Sequence, residues 1–141
     1  MELLDKMLEL SKQGFFCSQI LLLLALEGEG KENPDLVRAM GGLNVGLGYS
    51  GNICGALTGG CCLIAYFAGQ GVPEEIPDQH CNELIRELVT WFEQEYGTQF
   101  GGCDCGHILE DNPVNKLLRC PQIVEAVYAH VMEGLMRMGI I

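Results

Sequence analysis

Ile53-Cys54-Gly55-Ala56-Leu57-Thr58-Gly59-Gly60-Cys61-Cys62-Leu63-Ile64-Ala65-Tyr66-Phe67-Ala68-Gly69-Gln70-Gly71-Val72 runs for twenty residues without a charged side chain. A helix of that length is long enough to cross a bilayer. The run nevertheless carries Gly55, Gly59, Gly60, Gly69 and Gly71, and it has no aromatic belt at its ends and no flanking Lys or Arg to anchor it. The expected element is therefore a buried central helix from about Cys54 to Ala68, and not a membrane span. Outward from it, Arg38 is the only charged side chain between Asp35 and Glu74, so the middle third of the chain belongs inside. A second apolar run, Phe15 to Leu26, is too short to span and reads as further core.

Periodicity is helical throughout, with no sustained two-residue alternation closed by a hairpin turn. Leu3, Leu4, Met7 and Leu8 form one stripe that Gly14 can end, and a second helix is predicted from about Cys17 to Leu26, before Gly28 and Gly30. Asn33-Pro34-Asp35 supplies a cap, a first-turn proline and a first-turn acid for a short helix through Met40. A glycine-rich stretch, Gly41 to Ser50, leads into the central helix. Pro77 and Asp78 introduce a long amphipathic helix with Cys81, Leu84, Ile85, Leu88, Val89 and Phe92 on one stripe, closing near Gly97. An irregular segment holds Cys103 and Cys105, and Pro121 is expected to open the last helix. The fold class is thus all-α, a single compact bundle of five to six helices with a glycine-rich loop before the buried helix. No linker or repeat divides residues 1–141 into more than one domain.

Nineteen acidic against eight basic residues give a net charge of -11, which repels phosphate backbones and argues against nucleic-acid binding. The chain opens Met1-Glu2-Leu3-Leu4-Asp5, without the basic start and apolar stretch of a secretory leader, so a cytoplasmic setting with reduced thiols is expected. A chain of this length closes a core without disulfide staples. Its eight cysteines are then more than packing requires.

No two of those cysteines are three apart, which removes the CxxC patterns of thioredoxins, zinc ribbons and ferredoxins. Any chemistry has to be assembled by folding. Cys17, Cys54 and Cys120 fall at predicted helix starts, where free N–H groups and the helix dipole favour thiolate, so these three are expected to be poised as thiolates. Cys61, seven residues beyond Cys54, would lie about 10 Å further along the same helix, out of disulfide reach. Cys61, Cys62 and Cys81 sit in apolar stripes and read as core. Cys103 and Cys105 lie among glycines in a loop that could offer one or both sulfurs, with His107 near enough to act as a further ligand or proton carrier. Gly46-Leu47-Gly48-Tyr49-Ser50-Gly51 spells GxGxxG, but no strand leads into it, so a glycine turn is expected in place of a dinucleotide site. The GxxxG spacing of Gly55 and Gly59 predicts close helix packing.

Cys54-Gly55-Ala56-Leu57-Thr58-Gly59 is a CGAxxG hexapeptide placed between one early and two late cysteines, and in this it resembles the C_GCAxxG_C_C family of redox-active proteins. The resemblance covers most of the chain. It implies a redox protein of this size defined by four cysteines and commonly encoded near transporter genes. Carried over by local context, those four are Cys17 in Phe16-Cys17-Ser18-Gln19, Cys54 in the hexapeptide, Cys105 after Phe100-Gly101 and before Ile108-Leu109, and Cys120 in Cys120-Pro121-Gln122. Two chemistries fit such a set: thiol–disulfide exchange with Cys54 as nucleophile, serving a redox partner protein or small thiol, or ligation of an iron–sulfur cluster. A non-catalytic module holding zinc on the same four cysteines, a small protein associated with a membrane transporter, and a homodimer are the alternatives that stay open.

Overall fold

The structure is a computed structural model and describes residues 2–141. The described residues are all-helical, with seven helices of five residues or more: α1 (Leu3–Lys12), α2 (Cys17–Glu29), α3 (Pro34–Met40), α4 (Gly55–Ala68), α5 (Cys81–Phe92), α6 (Cys105–Leu109) and α7 (Pro113–Arg137). A π-helical turn, Glu93–Gly97, extends α5 to Phe100, where Gly101 stops it with φ of 84°. The helix count exceeds the five to six expected because Asp104 caps a short extra helix, α6, its carboxylate accepting from the His107 N–H at 3.0 Å. No helix is long and apolar enough to cross a membrane among the described residues.

α4 is the hub, packed against α2, α5 and α7. Its apolar composition is explained by that position, since three neighbours cover most of its circumference. The CGAxxG glycines set how close α2 comes. A Cβ on Gly55 would lie 2.7 Å from Cys17 Sγ and 2.9 Å from the Leu43 carbonyl oxygen, and one on Gly59 would lie 2.8 Å from Ser18 Cα. Ser18 is fully buried in this contact and donates to the Met40 carbonyl at 2.8 Å, which ties α2 to the end of α3. Gly60 opens the next face of α4, where a Cβ would meet Val127 and Leu88 at 2.7 and 2.9 Å. The Gly59→Ala variant is expected to lose about 1–3 kcal/mol by forcing α2 and α4 apart, readable as a lower midpoint in urea unfolding.

Caps fix most of the helix limits. Asn33 accepts from Leu36 N–H at 3.2 Å, and Gly30 closes α2 in the left-handed region. Gln19 accepts from the Phe16 N–H at 3.1 Å at the start of α2 and reaches the Val37 carbonyl with its amide at 3.1 Å. α5 buries Cys81, Leu84, Leu88 and Phe92 at helical spacing, as its stripe predicts. The last helix corrects the sequence reading: it begins at Pro113, not Pro121, with Asn112 accepting from Val114 N–H at 3.1 Å. Pro121 lies inside it. The proline removes the bond that would reach the carbonyl of Leu117, a residue 76% exposed, so water can serve that carbonyl instead. Cys120 is consequently a mid-helix residue and not an N-cap.

Candidate active site

Between α3 and α4 the backbone turns the wrong way for L-residues. Val45, Gly46, Leu47, Gly48 and Tyr49 have φ of 44°, 69°, 67°, 65° and 65°, a run of five in the left-handed region. Each non-glycine there carries about 1–2 kcal/mol of strain, so the turn persists only because its contacts outweigh that. The Gly46 carbonyl accepts from Asn52 N–H at 3.0 Å and from Ser50 Oγ at 2.7 Å, and the Asn44 carbonyl accepts from Tyr49 N–H at 3.1 Å. At Gly46 no side chain fits, since a Cβ would lie 2.4 Å from the Asn52 oxygen. The GxGxxG stretch is thus a left-handed turn.

The turn delivers residues 51–54 alongside 103–106. Cys54 N–H donates to the Cys103 carbonyl at 2.9 Å, Cys105 N–H to Asn52 at 2.8 Å and Gly106 N–H to Gly51 at 3.3 Å, around an antiparallel bridge between Ile53 and Asp104. Two cysteines remote in sequence therefore meet at one helix end: Cys54 is the N-cap of α4 and Cys105 is the first residue of α6.

A cavity of about 260 Å³ opens at this point, and Cys17, Cys54, Cys105 and Cys120 all line it. Apart from Ser11 and Lys116 its other walls are apolar, including Met7, Leu8, Phe15, Ile20, Leu117 and Val124. Lys116, one turn before Cys120 on α7, is the one charged side chain in the lining. Cys103 turns away from the cavity: its sulfur lies 3.2 Å from where a Cβ on Gly97 would be. His107 also stays outside, with Nδ1 2.7 Å from Asp104 Oδ1.

The four thiols differ in acidity, and the ranking corrects the expectation that Cys17, Cys54 and Cys120 are thiolates. Burial, with the neighbouring sulfurs of Cys120 and Cys105, pushes Cys17 up to about 12. Burial and Cys105 push Cys120 up to about 11. Cys54 is raised well above its ordinary value because its S–H donates to Cys105, with burial adding to the effect. Cys105 receives that hydrogen bond and is lowered to about 7 against the opposing pull of burial, helped by the Gly55 N–H and by the charge of Lys116. The helix N-terminus expected to activate Cys54 thus spends one of its free N–H groups on the sulfur across from it. At Cys17, the first residue of α2, desolvation outweighs the dipole, and at Cys120, inside α7, no helix start is there to oppose it.

Outside the cavity, Cys81 is buried and Cys61 half-buried, whereas Cys62 is exposed, so its assignment to the core is corrected. Cys62 lies on the side of α4 that its three neighbours leave open. Among the described residues, no group of three or more His, Cys, Asp or Glu side chains is disposed to hold a metal ion. Lys116 is absent from the residues singled out in the sequence. Its signal was present in Asn112-Pro113, the same cap-and-proline pair as Asn33-Pro34, which would have placed Lys116 and Cys120 one turn apart on a single helix.

An all-helical domain that gathers four sequence-distant thiols around one apolar cavity defines a class of cysteine-centred helical proteins. The chain belongs to the C_GCAxxG_C_C family, described as "Putative redox-active protein", which it matches over residues 15–134. No curated protein and no solved structure matches the chain.

Proposed function

We propose that the protein is a dithiol oxidoreductase acting by thiol–disulfide exchange, with Cys105 as nucleophile and Cys54 as resolving thiol. The observation that carries this is the meeting of Cys54 and Cys105 on one cavity wall, held by the backbone bonds between 51–54 and 103–106; in that setting Cys105 is lowered to about 7 while Cys54 is raised and stays protonated. In the first step the Cys105 thiolate attacks one sulfur of a substrate disulfide, forming a mixed disulfide and releasing the other half as thiolate. In the second, Cys54 attacks the Cys105 sulfur, the bond between Cys105 and the substrate sulfur breaks, and this second half leaves as a thiol with the Cys54 proton. The substrate gains two electrons, and the protein is left with a Cys54–Cys105 disulfide. A small thiol or a partner protein's dithiol returns the two electrons. Cys17 and Cys120, protonated on the same cavity wall, are proposed as the second dithiol, able to take over the bridge by a further exchange.

Iodoacetamide labelling across pH, read by peptide mass, tests the reading. The reactive form is the deprotonated one, so labelling at Cys105 should rise about tenfold per pH unit below its pKa and level off above about 7. Cys17 and Cys120 should stay unlabelled there, since their thiols deprotonate only near 12 and 11. A Cys105 profile no more acidic than that of an ordinary thiol would sink the proposal. So would a native mass, taken without oxygen, raised by iron and sulfide or by zinc, because the sulfurs would then be ligands.

A further inference from the structure

The cavity has one feature that the exchange chemistry uses only as a minor help to the acidity of Cys105. Acidic residues outnumber basic ones by more than two to one in this chain, and Lys6, Lys31, Arg38, Arg119 and Arg137 each meet a carboxylate. Lys116, like Lys12 and Arg86, meets none among the described residues, and of these three it alone lines the cavity. Its ammonium lies instead 4.6 Å from the centre of the Phe16 ring and 5.3 Å from that of Tyr49, and donates to the Tyr49 hydroxyl at 3.3 Å. Two aromatic rings thus hold a half-buried cation in the wall of a cavity whose lining includes no Asp, Glu, Arg or second Lys. Tyr49 is itself the last residue of the left-handed run, so the strained turn holds one of the two rings that place the cation.

We infer that the cavity takes an anionic organic disulfide, with an acidic group on Lys116, an apolar body against Phe15, Ile20 and Leu117, and its sulfur at Cys105. This rests on the exchange reading above. The volume suits a small molecule, and the apolar walls supply affinity without direction. One unpaired cation then decides which end of the ligand points to the wall and which sulfur faces Cys105. An anion is selected because the lining offers the ammonium no carboxylate, so a neutral or cationic ligand would desolvate it with only the Tyr49 hydroxyl and two rings to offset the cost, whereas an acidic group supplies the opposite charge. Lys116 is in this sense a specificity-determining residue.

The test compares two aromatic disulfides, dianionic dithiobis(nitrobenzoate) and neutral dithiodipyridine, each rate at Cys105 divided by that of the same probe with free cysteine. The wild-type ratio should favour the anionic probe. Lys116→Gln should lower that ratio about tenfold, while Lys116→Arg should retain it. Taking the ratio cancels the change in thiol acidity that loss of the lysine also causes, because both probes sense it equally. Unchanged discrimination in Lys116→Gln, with Cys105 still reacting, would overturn the ligand class and leave the exchange reading intact. Failure of both probes to react at Cys105, located by peptide mass, would overturn the exchange reading and this inference with it.

Discussion

Serine in place of Cys105 should reduce the rate of the first exchange step at neutral pH at least 100-fold, because a hydroxyl is essentially never ionised there and no other cavity thiol is. Burial holds Cys17 and Cys120 protonated, and Cys54 is a donor only as long as it keeps its proton. Stopped-flow disulfide reduction measures the loss, and Cys103→Ser, whose sulfur is outside the cavity, is the matched control and should react as wild type. Cys54→Ala separates the two roles. It removes the hydrogen bond that most lowers Cys105, so the pH profile should move to higher pH, and the mixed disulfide should persist longer because the cavity thiols that remain, Cys17 and Cys120, are protonated up to about 12 and 11 and resolve it slowly. A Cys105→Ser protein that still reduces the probe at the wild-type rate would move the nucleophile elsewhere.

The largest effect on stability is expected at Gly46. Alanine there adds a left-handed residue with a Cβ and drives that Cβ into the Asn52 backbone, 2.4 Å from its oxygen and 2.5 Å from its nitrogen. Backbone cannot rotate aside as a side chain can, so a loss of about 2–4 kcal/mol in urea unfolding is expected. Gly48→Ala is the comparison that isolates the clash. Its φ of 65° is as left-handed, yet nothing lies within 4 Å of the added atom, so only the conformational part should appear, about 1–2 kcal/mol. Equal losses at the two positions would show that the contact with Asn52 relaxes freely. Gly46→Ala should also disturb chemistry at a distance, since the Asn52 carbonyl it displaces is the acceptor for Cys105 N–H.

What could be read along the chain and what could not divides by the range of the interaction. Asn33-Pro34, Gly30 and the Leu84, Leu88, Phe92 spacing act over one or two turns, and the helices they mark stand where the sequence puts them. The CGAxxG glycines signalled close packing, although not that Gly59 would face Ser18 and Gly60 the side chains of Leu88 and Val127. Pro121 misled because a proline suits a first turn and also an interior position where the lost bond faces solvent, and only tertiary exposure tells these apart. Thiol acidity was the least legible property. Helix starts are visible in sequence, but the balance of dipole, burial and a neighbouring S–H is set by which segments meet, and the Ile53–Asp104 bridge has no local signature.

That bridge also gives the reactive sulfur a history. A nascent chain carries eight thiols of ordinary acidity, and Cys54 is made before its partner segment. The acidic thiol comes into being only when residues 103–106 dock on 51–54. Reactivity is in this way a signature of a finished molecule, and an incomplete or misfolded chain has no sulfur sharpened for exchange with the wrong disulfide.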